Sequence, residues 1–385
     1  MSKTVHYLCF YANQDNKDVL TSYPSVWSKI EYISEKIKNC GYSVNLFSAA
    51  PTKQKGFYHG NTILHKDGTR ETYVSSFRTK YFILNKLSIM FIYCQIIYRL
   101  LTVDKDDIIL VYHSMFYDRP VTILKKLFRK NFVLEIEDVY SELSDENKYL
   151  KQRERRFFEL PQAYLCVNDL IAEKLENNKK KIISYGRYDL PPIYQNNSCH
   201  EMNTINLIYA GVIERQRGAA FLAIDAMKCL EKKYKLHICG FGDDIDLKAL
   251  YDAVKEYNDS NDGNEIIYHG MVSGEKYYKL LQSCQIALST HKYSTDTMSS
   301  ADSTFPSKVL VYLSNGLHVV AQRLKCLQSS KIGSLIHYYD EPTAGAVADA
   351  IHSIDLDKSY DSRSIIHELD IDFQENIKLL LEVEI

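Results

Sequence analysis

Apolar positions along this chain fall into short runs of roughly four to eight residues, separated by longer stretches with helical period. "VHYLCFYA" (5–12) reads as a strand, and "SVWSKIEYISEKIKNCG" (25–41) as an amphipathic helix stopped by Gly41. "YSVNLFSAA", "DDIILVYHS", "NFVLEIED" and "AYLCVND" continue the strands, and "RPVTILKKLFRK" and "LIAEKLENN" the helices. The runs are β-branched and nearly continuous, as expected of a parallel sheet covered on both faces. A polar stretch with two prolines, "LPPIYQNNSCHEMNT", then breaks the rhythm. Beyond it the alternation restarts with "INLIYAGVI", "AAFLAIDAMKCLEKK", "KLHICGFG", "DLKALYDAVKEYN", "EIIYHGMV", "GEKYYKLLQSC", "QIALST", "FPSKVLVYLSNGLHVVA" and "AGAVADAIHSI". The pattern predicts an α/β protein of two doubly wound, Rossmann-like domains facing each other across a cleft. The expected boundaries are 1–190, a linker at 191–203, and 204–367, with 368–385 packing back on the first domain.

One segment stands apart. "YFILNKLSIMFIYCQIIYRLL" (81–101) is apolar enough to suggest a membrane span, but Asn85, Lys86, Gln95 and Arg99 interrupt it. It reads as a buried or surface-seated helix, with Met90, Tyr93, Ile97 and Leu100 at helical spacing.

Length and composition fit two cores: 385 residues, 45% hydrophobic and 25% charged. The net charge of -2 carries no nucleic-acid signature, and no nucleic-acid partner is expected. The charge is unevenly placed. Residues 1–195 hold 29 Lys+Arg against 22 Asp+Glu, net +7, and the remainder 18 against 27, net -9. A basic first half suits a phosphorylated acceptor or an anionic membrane surface, and equally uneven surface decoration. The helix at 81–101 and "LKKLFRK" (124–130) are the segments that could rest on such a leaflet. Nine cysteines without a CxxC pair, three of them (Cys9, Cys166, Cys239) inside strand runs, point to small core residues in a reducing compartment. No signal peptide is expected, because the chain runs straight into a strand, and a cytoplasmic location follows, at the inner face of the membrane if the basic half binds it.

In such sheets ligands bind beyond the C-terminal strand ends. "AGVIERQRG" places Gly211 at a strand end with Arg215 and Arg217 before the next helix, where guanidiniums would oppose the helix dipole unless an anion sits there. "CGFGDD" offers Gly240 and Gly242, but the third glycine of a dinucleotide fingerprint is replaced by Ile245; a tight strand-to-helix turn explains it equally well. "TFPSK" opens a helix at Pro306, whose bare N–H groups and Lys308 would receive an anion, after a long polar loop. The Asp-x-Asp pairs at 104–106, 244–246, 355–357 and 370–372 read as solvated loops, and no metal is expected. His113 follows a strand and is a candidate for the cleft; a lone histidine is more often structural.

The order of these motifs over residues 204–352 resembles the donor domain of GT-B glycosyltransferases, nearest to the family 4 type that builds bacterial capsular and O-antigen polysaccharides. The first half resembles the family more loosely, through strand order and "IISYGRYD" (182–189). The resemblance implies a transferase that moves a sugar from a nucleotide sugar (UDP-, GDP- or dTDP-linked) to a saccharide or lipid-linked acceptor. It implies retention of configuration, with no cofactor beyond the donor substrate. Carried over by position, it implies donor contacts at Gly211, Arg215, Arg217, Gly240, Gly242, Gly270, Met271, Val272, Ser303, Thr304, Phe305, Pro306, Ser307, Lys308 and Val311. Arg217 and the 305–308 helix start would take the diphosphate, and Gly270 to Val272 would border the base. The chain departs from the family at Val212, where an arginine is usual. It departs again at Ser303 and Val311, where a pair of glutamates is usual. Glu137, followed by Asp138, stands at the place of the family histidine. Glu137, Asp138 and His113 are the catalytic candidates. Two other readings stay open on these residues: a catalytically weak homologue that serves as a binding partner in polysaccharide assembly, and a nucleotide-sugar epimerase. A nicotinamide oxidoreductase fits least.

Overall fold

A computed structural model of the chain describes residues 3–382, apart from 23, 144–147, 195–203, 217, 232, 261–262 and 294–300. The chain forms two compact units, Met1–Arg187 with Asp372–Ile385, and Tyr188–Ile371.

The first unit is built on an eight-stranded sheet. From edge to edge its order is β10 (Lys180–Ile183), β9 (Ala163–Cys166), β8 (Val133–Ile136), β7 (Ile108–Tyr112), β1 (Thr4–Cys9), β2 (Ser43–Ser48), β5 (Arg70–Tyr73) and β4 (Thr62–Leu64). All neighbours are parallel except the β4–β5 hairpin at one edge. The central strands β7, β8 and β9 are buried at every position, which is why their sequences show no alternation. Helices α1 (Pro24–Asn39), α2 (Phe82–Leu101), α3 (Asp118–Phe128), α4 (Tyr140–Leu143), α5 (Lys148–Phe158) and α6 (Asp169–Lys174) connect the strands. The chain leaves β1 toward β2 on one side and reaches β7 on the other, so the topological switch lies between β1 and β7.

The second unit repeats the principle with six parallel strands: β13 (Glu265–Tyr268), β12 (Tyr234–Phe241), β11 (Ile205–Val212), β14 (Ile286–Ser289), β15 (His318–Gln322) and β16 (Ile336–Tyr339). Its switch lies between β11 and β14. Helices α7 (Ala219–Met227), α8 (Asp244–Ser260), α9 (Gly274–Gln282), α10 (Lys308–Ser314), α11 (Lys325–Gln328) and α12 (Ala344–His352) complete it. Leu207, Leu236, Ile238 and Leu288 from the sheet pack with Leu222, Ala223 and Met227 of α7 and Val347 and Ile351 of α12 in one fully buried cluster. The last helix, α13 (Ser362–Leu381), starts in this unit, where Ser362 Oγ donates to Leu313 O at 2.8 Å and Arg363 donates to Pro191 O at 2.9 Å. Its end belongs to the first unit: Phe373 stacks on Tyr32 of α1, and Gln374 donates to Lys36 O at 3.0 Å.

Two features of the first unit were not specified by the sequence reading. The polar segment 56–78 forms strands, including a separate pair β3 (Gly56–Tyr58) and β6 (Ser76–Arg78). These strands are three residues long and too short to show a period. The long apolar segment is the helix α2, and its buried line is Ser88, Ile92, Ile96 and Leu100; of the four residues at helical spacing, Leu100 is buried and Met90 is exposed.

Candidate functional site

In the first unit the C-terminal end of β8 gathers charge. Alternation along the strand puts Glu135 and Glu137 on one face, and the run ends at Asp138. Glu135 is fully buried and accepts a hydrogen bond from Tyr7 of β1 through Oε2; its Oε1 has no hydrogen-bond partner. Lys29, buried in α1, reaches across to form an ion pair with Glu137 and donates to Ser184 O at 3.0 Å. Burial, and next the charge of Glu137, push the Glu135 carboxyl up to about 8. Burial and the same neighbour push Asp138 up to about 6. Burial and the neighbouring Glu137 charge thus both favour the protonated form of Glu135. Glu137 and Asp138 are its two partly exposed carboxylates.

His113 has a different place from the one expected. It is enclosed among Tyr140, Phe157 and Phe158, 1% exposed, and burial lowers it to about 4, so it is neutral. Its Nδ1 lies 2.9 Å from the Asp138 carbonyl, which fixes the proton on that nitrogen. Nε2 is 3.3 Å from Glu154 Oε1, whose carboxylate already accepts the backbone N–H groups of Tyr140 and Ser141. A substrate has no access to this ring; it fixes the backbone that carries Asp138.

In the second unit β11 and β12 run side by side with Gly211 opposite Gly240. A Cβ on Gly240 would lie 1.8 Å from Gly211 O, and one on Gly242 would lie 2.4 Å from Ile213 O. These glycines are required by the close approach of two strand ends, which leaves bare backbone at the switch point. Gly240 N donates to Gly270 O at 2.9 Å, tying in the next turn, where Gly270 has φ 69°. Met271 beyond it is exposed and Val272 half-buried.

Lys308 sits against this bare backbone. Its Nζ lies over the Tyr209 ring at 4.6 Å, and a Cβ on Gly211 would be 3.7 Å from it. One turn on, the Tyr312 hydroxyl accepts from Ala210 N at 2.9 Å and donates to Ala210 O at 3.1 Å, which locks α10 to the end of β11. The helix itself begins later than expected. Pro306 and Ser307 precede it, and their carbonyls accept from Val309 and Leu310 in a tight first turn. Ser303 is fully buried and Phe305 nearly so; Thr304 is half-buried. Ser303 and Phe305 thus support the loop and are not open to a ligand. Val311 is half-buried, Arg215 and Val212 are exposed, and Arg217 lies outside the described residues.

The sequence reading overlooked Lys29, Glu135, Tyr209 and Lys292. Glu135 carried a usable signal: an ionisable residue inside "FVLEI", an otherwise apolar strand. Lys292 gave none, since only the fold lays its stem over Gly218. There a Cβ would meet Lys292 Cδ at 2.5 Å, at the left-handed N-cap of α7. This places a lysine at the helix start where the sequence pointed to Arg217. The loop is held by Thr290 Oγ1 donating to Ala219 O at 2.7 Å and by His291 N donating to the Tyr339 hydroxyl at 2.9 Å.

No family model matches the sequence, and no curated protein matches it. Solved structures match it over its whole length. Trehalose-6-phosphate from E. coli bound with UDP-2-fluoro glucose superposes with TM-score 0.67 at 10% identity, covering 99% of both chains. Anabaena Alr3699/HepE in complex with UDP and glucose gives 0.63 at 11% identity, covering 98% of this chain and 99% of that one. An α,α-trehalose-phosphate synthase (UDP-forming) from Burkholderia xenovorans in complex with glucose-6-phosphate gives 0.60 at 9% identity, covering 99% and 98%. These are GT-B proteins, and this chain has the GT-B fold. The likeness is to GT-B proteins at large and does not single out the family 4 type.

Proposed function

We propose that the chain is a glycosyltransferase that takes its sugar from a nucleoside-diphosphate donor held on the second unit. The observation that carries this reading is the lysine ammonium of Lys308 set against the bare Gly211–Gly240 backbone at the β11/β14 switch. Side-chain-free backbone admits a bulky anion closely, and a cation beside it stabilises the charge that grows on a departing diphosphate. Lys292, over Gly218, would add a second charge. In the transfer the bond from the anomeric carbon to the phosphate oxygen breaks and its electron pair stays on the diphosphate. The acceptor hydroxyl oxygen bonds to the anomeric carbon, and its proton passes to the departing diphosphate oxygen. Asp138, held up near neutrality, is the group we assign to contact the acceptor hydroxyl, with Glu137 beside it. The family 4 affinity, retention of configuration, a bacterial surface polysaccharide as product, a saccharide or lipid-linked acceptor and a cytoplasmic setting belong to this proposal and rest on the sequence resemblance.

The test is a thermal-shift screen of UDP, GDP, dTDP and their common sugars, followed by mass spectrometry of products with and without acceptors. One nucleotide class should raise the melting temperature, and Lys308→Met should weaken that ligand about tenfold. If none of the nucleotides stabilises the protein, the donor site is wrong. A donor converted without any acceptor would instead indicate an epimerase.

A further inference from the structure

We propose that the first unit seats itself on an anionic lipid surface through the outer faces of α2 and α3. Helix α2 is long and apolar enough to cross a membrane, yet only 22% of its most apolar stretch is buried, so it is not a core helix. It is also not free to insert across a bilayer, because its polar residues bind it to the protein. Asn85 accepts from Thr79 N at 2.8 Å and donates to Thr79 O at 3.0 Å. Ser88 Oγ accepts from Phe77 N at 2.9 Å, and Gln95 makes the same pair of bonds with Ser75 at 2.9 and 2.8 Å. These side chains, which interrupt the apolar run, pair with the backbone along β6 and fix the helix flat against the unit.

The opposite face is open. Ile83 and Met90, two turns apart, are 73% and 61% exposed, and Leu87 lies between them. On α3, which packs beside α2, Leu127 is 73% exposed and Phe128 also points out. An exposed apolar face of this kind along α2 marks an interaction site, and α3 adds exposed apolar groups beside the same helix.

Charge identifies the occupant. Residues 78–130 hold ten Lys+Arg and four Asp. Two of the four acids are engaged inside the unit, Asp107 by Thr4 and Asp118 by Arg153. Two of the cations lie among the apolar groups: Lys86 Nζ is 4.5 Å from the centre of the Phe82 ring and Lys80 Nζ 5.1 Å from that of Tyr81. Arg129 closes α3 in the left-handed region at φ 55°, the sole non-glycine to do so among the described residues, where glycine would cost less. A two-fold contact with a second copy would set this basic surface against itself, whereas anionic headgroups satisfy both the apolar face and the cations.

The experiment is co-sedimentation of the full chain with vesicles of phosphatidylcholine alone and with about one-third phosphatidylglycerol. Binding to the anionic vesicles should exceed binding to the neutral ones by about tenfold at low salt and fall as salt rises. Ile83→Asp with Met90→Asp should lower it by about tenfold or more, and Lys126→Glu with Arg129→Gly should lower binding to the anionic vesicles selectively. Ile83→Trp gives a reading that survives if the aspartate pair fails to fold: its emission should shift to the blue on the anionic vesicles. Absence of sedimentation and of the blue shift overturns the proposal. So does a concentration-dependent dimer in light scattering that Ile83→Asp disperses. Donor binding plays no part in this assay, so its outcome is separate from that of the transferase reading.

Discussion

Replacing Lys29 with methionine removes the ammonium that, among the described residues, offsets the carboxylates at the end of β8. The Lys29 and Glu137 side chains are 10% and 19% exposed, and Glu135 beside them is fully buried. Breaking a buried pair from one side costs roughly 3–5 kcal/mol, and the residual exposure of Glu137 argues for the lower end, about 3 kcal/mol. The cost should depend on pH. Glu135 is held above its ordinary range, so the folded protein binds more protons than the unfolded chain through that interval, and stability falls as pH rises from about 4.5 toward 8. Lys29 works against that rise. Without it Glu135 and Asp138 move further up, so the loss deepens near neutrality and shrinks in mild acid, where these two are protonated. Urea unfolding of wild type and Lys29→Met should therefore differ by about 3 kcal/mol at pH near 7.5 and by about 1 kcal/mol at pH near 5. Adding Glu137→Gln to Lys29→Met should recover about half of the deficit at the higher pH. A loss under about 1 kcal/mol at both pH values, with no recovery in the double variant, would refute the idea that Lys29 holds a carboxylate cluster together.

Gly240→Ala should destabilise the second unit by about 3 kcal/mol or more, since its Cβ would meet Gly211 O at 1.8 Å; Gly270→Ala, which has open space but φ 69°, should cost only about 1 kcal/mol, and thermal melts would compare the two. Turnover should fall on the acid side with a midpoint near the raised value of Asp138, about 6, and Asp138→Asn should abolish that acidic limb in a pH–rate profile. Arg129→Gly should stabilise the first unit by about 1 kcal/mol in urea, because glycine adopts the left-handed cap freely, while it weakens binding to anionic vesicles.

The two-unit α/β plan was legible because it depends on signals that repeat. Buried parallel strands such as "IILVY" and "AYLC" are apolar at every position, and glycine and asparagine mark the breaks between elements. The strands at 56–78 were not legible, since strands of three or four residues have little period to read and are held by pairing with partners elsewhere in the chain. The buried face of α2 was not legible for a related reason. Periodicity in "FILNKLSIMFIYCQIIYRLL" is weak, because both faces are apolar, and the polar residues that set its rotation bond to the backbone at Ser75, Phe77 and Thr79, in and beside β6, a contact sequence spacing does not display.

The candidate sites divide along the same line. Gly211, Gly240 and Lys308 were found from strand ends and a helix start, features local in sequence. Their meeting requires the β11–β12 register and the Tyr312 lock on Ala210, which are properties of the fold. His113 was misassigned because the sequence places it after a strand without showing that α5 closes over it with Phe157, Phe158 and Glu154. The departure at Val311 takes on a physical meaning here. An aliphatic side chain half-buried one turn into α10 cannot accept a ribose hydroxyl, so a donor on this unit must rely on backbone and lysine contacts to its diphosphate. A site gripping the diphosphate more than the ribose should discriminate weakly between a ribosyl and a deoxyribosyl donor. UDP and dUDP are therefore expected to bind within about threefold of each other, since no buried acceptor is left unpaired by the missing hydroxyl. Titration calorimetry with the two nucleotides measures this directly, and a preference of about a hundredfold for UDP would show that another group takes over the role that Val311 cannot fill.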